Sequence, residues 1–109
     1  MAHVLDQVPD LKVICAHLGG WSVWKEAWRG LAGRPNGGGD TSSSLYALEP
    51  EEAARIIRRY GTDRAFFGTD YPMWDPEEEM ARFLRLPLTD GEREQIFHLN
   101  FEAFLRDLG

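Results

Sequence analysis

Residues 66–72, Phe66-Phe67-Gly68-Thr69-Asp70-Tyr71-Pro72, decide the fold. The apolar run Ala65 to Phe67 stops abruptly at a glycine, a hydroxyl, a carboxylate and a turn-forming proline. Short apolar runs bounded by turn signals suit a strand buried on both faces. A carboxylate just past the end of such a strand sits where parallel α/β folds place their chemistry. Residues 13–20, Val13-Ile14-Cys15-Ala16-His17-Leu18-Gly19-Gly20, follow the same grammar: an apolar run, one ionisable residue, then glycine.

Working outward, Leu11 to Ala16 reads as the first strand, with Cys15 and His17 on one face of an extended chain. Ala2 to Val8 reads as a short helix ended by Pro9-Asp10. Trp21, Trp24, Trp28 and Leu31 follow the spacing of a single helical stripe, stopped by Gly33 and Pro35. A regular pattern puts a second strand before Asp40-Thr41-Ser42-Ser43-Ser44, but Gly37-Gly38-Gly39 stands there. Glycine weakens an element by roughly 0.5–1 kcal/mol relative to alanine. The segment is therefore either a strand held by its neighbours alone or a loop.

Glu49-Pro50-Glu51-Glu52 opens a helix that buries Ala53, Ile56, Ile57 and Tyr60, with Arg58 and Arg59 in its last turn and Gly61 at its end. Arg64 to Gly68 is the strand leading to Asp70. Asp75-Pro76 starts a helix through Leu84, with Glu77 to Glu79 as a solvated acidic start. Thr89 and Glu92 form a capping box for the next helix. Asn100 caps the last, which buries Phe101, Phe104, Leu105 and Leu108. Helices alternating with short strands mean βα units and a parallel sheet, in one domain spanning residues 1–109.

The chain has 109 residues, 43% hydrophobic and 28% charged, with a net charge of -6. That balance is that of a soluble globular chain, and the acidic charge argues against nucleic acid as a partner. No apolar run approaches the roughly 20 residues that cross a bilayer, so no membrane role is expected. The N-terminus lacks the pattern of a signal peptide, and the lone Cys15 fits a reducing compartment; a cytoplasmic location is expected.

In a parallel sheet His17, the Asp40-Thr41-Ser42 group and Asp70 lie on one rim. A His and an Asp brought together there can bind a divalent metal or pair for acid–base work. Each also has a plainer reading taken singly. His17 suits a structural histidine, Asp70 a turn residue bonding its own backbone, and Asp40 with the serines a capping or loop cluster. The Trp stripe suits packing, and Cys15 a core position. His3 and His98 suit the surface.

Together, residues 9–20, Pro9-Asp10-Leu11-Lys12-Val13-Ile14-Cys15-Ala16-His17-Leu18-Gly19-Gly20, and 67–72, Phe67-Gly68-Thr69-Asp70-Tyr71-Pro72, resemble two motifs of the amidohydrolase-related family. That family lies within the metal-dependent hydrolase superfamily and includes decarboxylases related to aminocarboxymuconate semialdehyde decarboxylase. Asp40-Thr41-Ser42-Ser43 and Asn100-Phe101 are similar to the family's later portions, so the resemblance covers nearly the whole chain. It implies a (β/α)8 TIM barrel, of which this chain is the last three βα units with C-terminal helices.

The resemblance makes Asp70 a metal ligand that can accept a proton from metal-bound water. It makes His17 an acid/base or electrostatic aid in single-metal members, or a ligand in two-metal members. The implied cofactor is a divalent metal, zinc ahead of manganese, in a completed barrel. Trp21, Tyr71 and Trp74 follow the rim motifs, where they could line a pocket for a small-molecule substrate. The implied chemistry is hydrolysis of a C–N, C–O or related bond; decarboxylation, or a non-catalytic truncated module, stand as alternatives. The family's first-strand His-x-His pair and the His after its fifth strand have no counterpart here. Three βα units leave sheet edges and an inner face open, which implies self-association or an N-terminal half-barrel partner.

Overall fold

The computed structural model describes residues 2–20, 24, 30, 32 and 34–108. Its sheet has three parallel strands in the order β1-β2-β3: β1 Val13–Cys15, β2 Gly37–Asp40 and β3 Ala65–Phe66. Val13, Ile14 and Cys15 face Gly37, Gly38 and Gly39. Gly39 and Asp40 face Ala65 and Phe66. Parallel pairing makes all three strands end on one rim, as the βα alternation predicts. This is part of an α/β barrel.

The triple glycine is a strand, and the central one. It is held on both sides by its neighbours, and close packing explains two of its three glycines. A Cβ on Gly38 would lie 2.5 Å from the Arg64 carbonyl oxygen and 2.9 Å from the Phe66 ring. One on Gly39 would lie 3.0 Å from the Tyr60 ring. The missing side chains let the helix layer and β3 approach the backbone.

Both outer strands are shorter than the patterning predicts. β1 ends at Cys15 because the chain then enters a tight 3-10 turn, Ala16–Gly19, with His17 at φ 58° and Leu18 at φ 52°. The expectation that Cys15 and His17 share a face of an extended strand therefore fails: His17 is not in extended chain. β3 ends at Phe66, the last residue paired with β2, and on its outer edge Phe67 N–H bonds the Ile96 carbonyl at 2.9 Å.

The helices cover the sheet. Helix α1 spans Ala2–Gln7, α2 Pro50–Tyr60, α3 Pro76–Leu84, α4 Asp90–Glu94 and α5 Asn100–Leu108, with a π turn, Gln95–Leu99, joining the last two. Trp24 and Gly30 are also helical; the stripe members Trp21, Trp28 and Leu31 lie outside the described residues. Asp75 caps α3 through Glu78 N–H. Thr89 and Glu92 form the expected capping box of α4. Asn100 is not a cap. It is helical, and its amide reaches the carbonyls of Thr62 at 2.6 Å and Ala65 at 2.8 Å. Glu79 is not solvated either: it is 1% exposed and paired with Arg82.

Leu18, Ala53, Ile57, Tyr60, Ala65, Phe83 and Ile96 form the core between sheet and helices. Phe67, Phe83 and Phe97 extend it edge to face, with centroids 4.7 to 5.5 Å apart. Alternation turns Phe66 to the other face of the sheet, where it meets Phe101 and Phe104 of α5 at 6.4 and 6.2 Å. Lys12 pairs with Asp107 at 2.7 Å, tying the approach to β1 to the end of α5. A cavity of about 560 Å³ lies here, lined by Lys12, Ile14, Gly38, Phe66, Phe104 and Asp107 among others, where the strands begin. Among the described residues no helix is long and apolar enough to cross a membrane.

Candidate functional site

The rim is built on the turn that follows β2. Thr41, Ser42, Ser43 and Ser44 are all buried, so their hydroxyls must find partners inside the protein. Asp40 anchors the turn. Its Oδ1 accepts from Ser42 N–H at 3.0 Å, from the Ser42 hydroxyl, and from His17 N–H at 3.2 Å. Thr41 Oγ1 accepts from Gly68 N–H at 3.3 Å, which ties the turn to the exit of β3. A Cβ on Gly68 would touch Asp40 Cγ at 3.4 Å, an ordinary van der Waals contact.

Consecutive serines then hold the two candidate residues. His17 Nδ1 lies 2.9 Å from the Ser42 carbonyl oxygen and 3.0 Å from its hydroxyl. A carbonyl only accepts, so Nδ1 carries the proton and Nε2 is left as the exchangeable position. Ser43 Oγ donates to Asp70 Oδ2 at 2.7 Å. His17 and Asp70, 53 positions apart in the chain, are thus fixed by adjacent residues of one turn.

Backbone strain marks the same place. Among the described residues, the non-glycine positions with positive φ are His17, Leu18, Ser43 and Asp70, all on this rim. Each such conformation costs on the order of 1–3 kcal/mol, and such residues cluster at functional sites. The core compensates. Leu18 is fully buried, its carbonyl accepts from Tyr60 Oη at 2.9 Å, and the His17 carbonyl accepts from Trp24 Nε1 at 3.1 Å. Burial, with a lesser effect of Cys15, raises the Tyr60 phenol above its ordinary range, so it stays a donor. Burial likewise raises the Cys15 thiol, which suits a core cysteine rather than a nucleophile.

Of the expected pocket aromatics, Trp21 lies outside the described residues. Tyr71 is 75% exposed and open to a ligand. Trp74 is half-buried and structurally engaged: its Nε1 donates to Ser43 Oγ at 2.8 Å, and its ring stacks on Tyr46 at 4.7 Å. The 560 Å³ cavity is at the strands' starting ends, away from this rim. The sequence places Ser42 and Ser43 at the rim through the run Asp40 to Ser44, but not their bonds to His17 and Asp70, because a hydroxyl's partner depends on the tertiary turn.

His17 and Asp70 each keep a side-chain donor atom, Nε2 and Oδ1, outside these bonds, and both atom types suit a divalent cation. Among the described residues, no group of three or more His, Cys, Asp or Glu side chains could hold a metal ion. The chain fits part of a coordination shell.

Parallel strands whose shared rim carries an imidazole and a carboxylate are the layout of a parallel α/β barrel with its chemistry at the strand ends. The chain belongs to the amidohydrolase family, whose sequence model matches residues 1–106. An uncharacterised TIM-barrel protein from Bordetella bronchiseptica is 34% identical, with a TM-score of 0.80 over 96% of this chain and 37% of that one. A dihydroxybenzoic acid decarboxylase from Polaromonas, solved with manganese and the inhibitor 2-nitroresorcinol, is 22% identical, with a TM-score of 0.72 over 96% of this chain and 36% of that one. A zinc-bound amidohydrolase from Burkholderia multivorans is 17% identical, with a TM-score of 0.72 over 94% and 46%. These likenesses support the barrel fold, and the chain spans less than half the length of each relative. Comparison with curated proteins finds no match.

Proposed function

We propose that residues 1–109 act as the C-terminal part of a metal-dependent hydrolase, contributing Asp70 as metal ligand and proton acceptor and His17 as acid/base. The observation that carries this is the pairing of His17 with Ser42 and of Asp70 with Ser43 on one strained turn. A divalent metal, zinc or manganese, would supply Lewis-acid polarisation of the substrate and an acidified water. Asp70 takes the proton that the attacking water loses. His17, its Nδ1–H committed to the Ser42 carbonyl, receives a proton on Nε2 or returns one from it to the leaving group. Tyr71, exposed at the rim, contacts a small-molecule substrate. The relatives that hold manganese or zinc support the metal class.

The remaining ligands come from an N-terminal half-barrel carrying the His-x-His pair. Val13 N–H bonds to Asn36 O, so alternation aims the backbone groups of Ile14 at the free edge of β1, where another strand can add. Phe101 and Leu105 of α5, exposed against the expectation that they are buried, lie four residues apart and supply apolar surface for a partner or a second copy. A second reading, a self-contained non-catalytic module, has its own support. At the outer edge of β3, the Ala65 carbonyl and Phe67 N–H are already bonded by Asn100 and Ile96.

Asp70→Asn in the assembled barrel separates the two. The amide keeps the shape and loses the charge, and turnover should fall at least about a hundredfold, as for loss of a group acting directly in the transition state. Unchanged turnover would exclude Asp70 from this role.

A further inference from the structure

We infer that Ser43 is a positioning residue for Asp70, and that Trp74 sets the direction in which it acts. This rests on the reading of Asp70 as a metal ligand. Ser43 Oγ makes two hydrogen bonds, to Trp74 Nε1 at 2.8 Å and to Asp70 Oδ2 at 2.7 Å. An indole N–H only donates, so Ser43 accepts from Trp74. The hydroxyl has one proton, and it goes to Asp70 Oδ2. The carboxylate is thereby held by one oxygen, which leaves Oδ1 as the free donor atom.

The indole is itself fixed. Tyr46 stacks on it with planes 24° apart, and the Arg82 guanidinium lies 5.2 Å from the ring centroid while pairing with buried Glu79. The chain Glu79–Arg82–Trp74–Ser43–Asp70 therefore connects helix α3 to the carboxylate. Outer partners of this kind orient metal ligands, and their loss costs about 10–100-fold in metal affinity or activity. Trp74, expected from sequence to line the substrate pocket, here supports a ligand.

The test uses the 109-residue chain labelled with 15N in its tryptophan indoles, the Trp74 signal being identified by its loss in Trp74→Phe. Ser43→Ala and Ser43→Gly should both move the Trp74 indole proton upfield of its position in the parent chain. Glycine also relieves the positive φ of Ser43, so that variant keeps the fold if alanine does not. An unmoved indole signal in both variants would overturn the inference. Manganese ion is then titrated and read as broadening of the same signal. Ser43→Gly should raise the midpoint about tenfold or more relative to the parent chain; equal midpoints would overturn the positioning role. Asp70→Asn should abolish the broadening. Broadening that persists there would refute Asp70 as the ligand, with the indole shift still deciding the Ser43 bond.

Discussion

Glu92 shows how much one side chain does away from the rim. Its carboxylate accepts from Thr89 N–H at 2.9 Å and pairs with Arg58 at 3.2 Å. The Thr89 backbone bond and then Arg58 hold its pKa below the ordinary glutamate value. A carboxyl depressed on folding contributes stability above its unfolded pKa and loses it as pH falls through the folded value. Glu92→Gln should therefore lower the melting temperature at pH 7, with the gap to the parent closing below about pH 4, near the ordinary glutamate value. A gap independent of pH would contradict this. The positions of His17 and Asp70 at strand ends were legible because each lies just beyond an apolar run and two residues before a glycine or proline. Their left-handed backbone was not, since only the tertiary turn imposes it.

Strand β2 carries the lesson at the scale of the element. Its propensity argues for a loop, yet it is the central strand, where Gly38 faces atoms that leave no room for a Cβ and Gly39 faces atoms that leave little. Gly38→Ala should destabilise by about 1–3 kcal/mol, as overpacking does, since the Arg64 carbonyl is backbone and cannot swing aside. Chemical denaturation checks this, and an unchanged midpoint would refute the close-packing account. The capping signals of α3 and α4 were local and were read correctly from Asp75, Thr89 and Glu92. Asn100 was misread for the opposite reason. Its amide serves carbonyls 35 and 38 positions away, a long-range demand that the neighbouring residues do not encode.

At the scale of the whole molecule, three parallel strands place the rim residues together and put β1 at an edge of the sheet among the described residues. The order of elements and the family motifs made the barrel portion legible. The short outer strands were not, because their ends are set by tertiary context, the left-handed turn at His17 for β1 and the two-residue register with β2 for β3. The central claim is that Asp70 and His17 are part of a metal shell completed by ligands from an N-terminal half. The most direct measurement is the metal content of the purified chain, alone and after co-expression with a segment carrying the family's first five strands. The account predicts substoichiometric, readily removed metal on the chain alone and one tightly held zinc or manganese in the complex, lost in Asp70→Asn. Tight stoichiometric metal on the chain alone, or a folded complex that binds none, would contradict it.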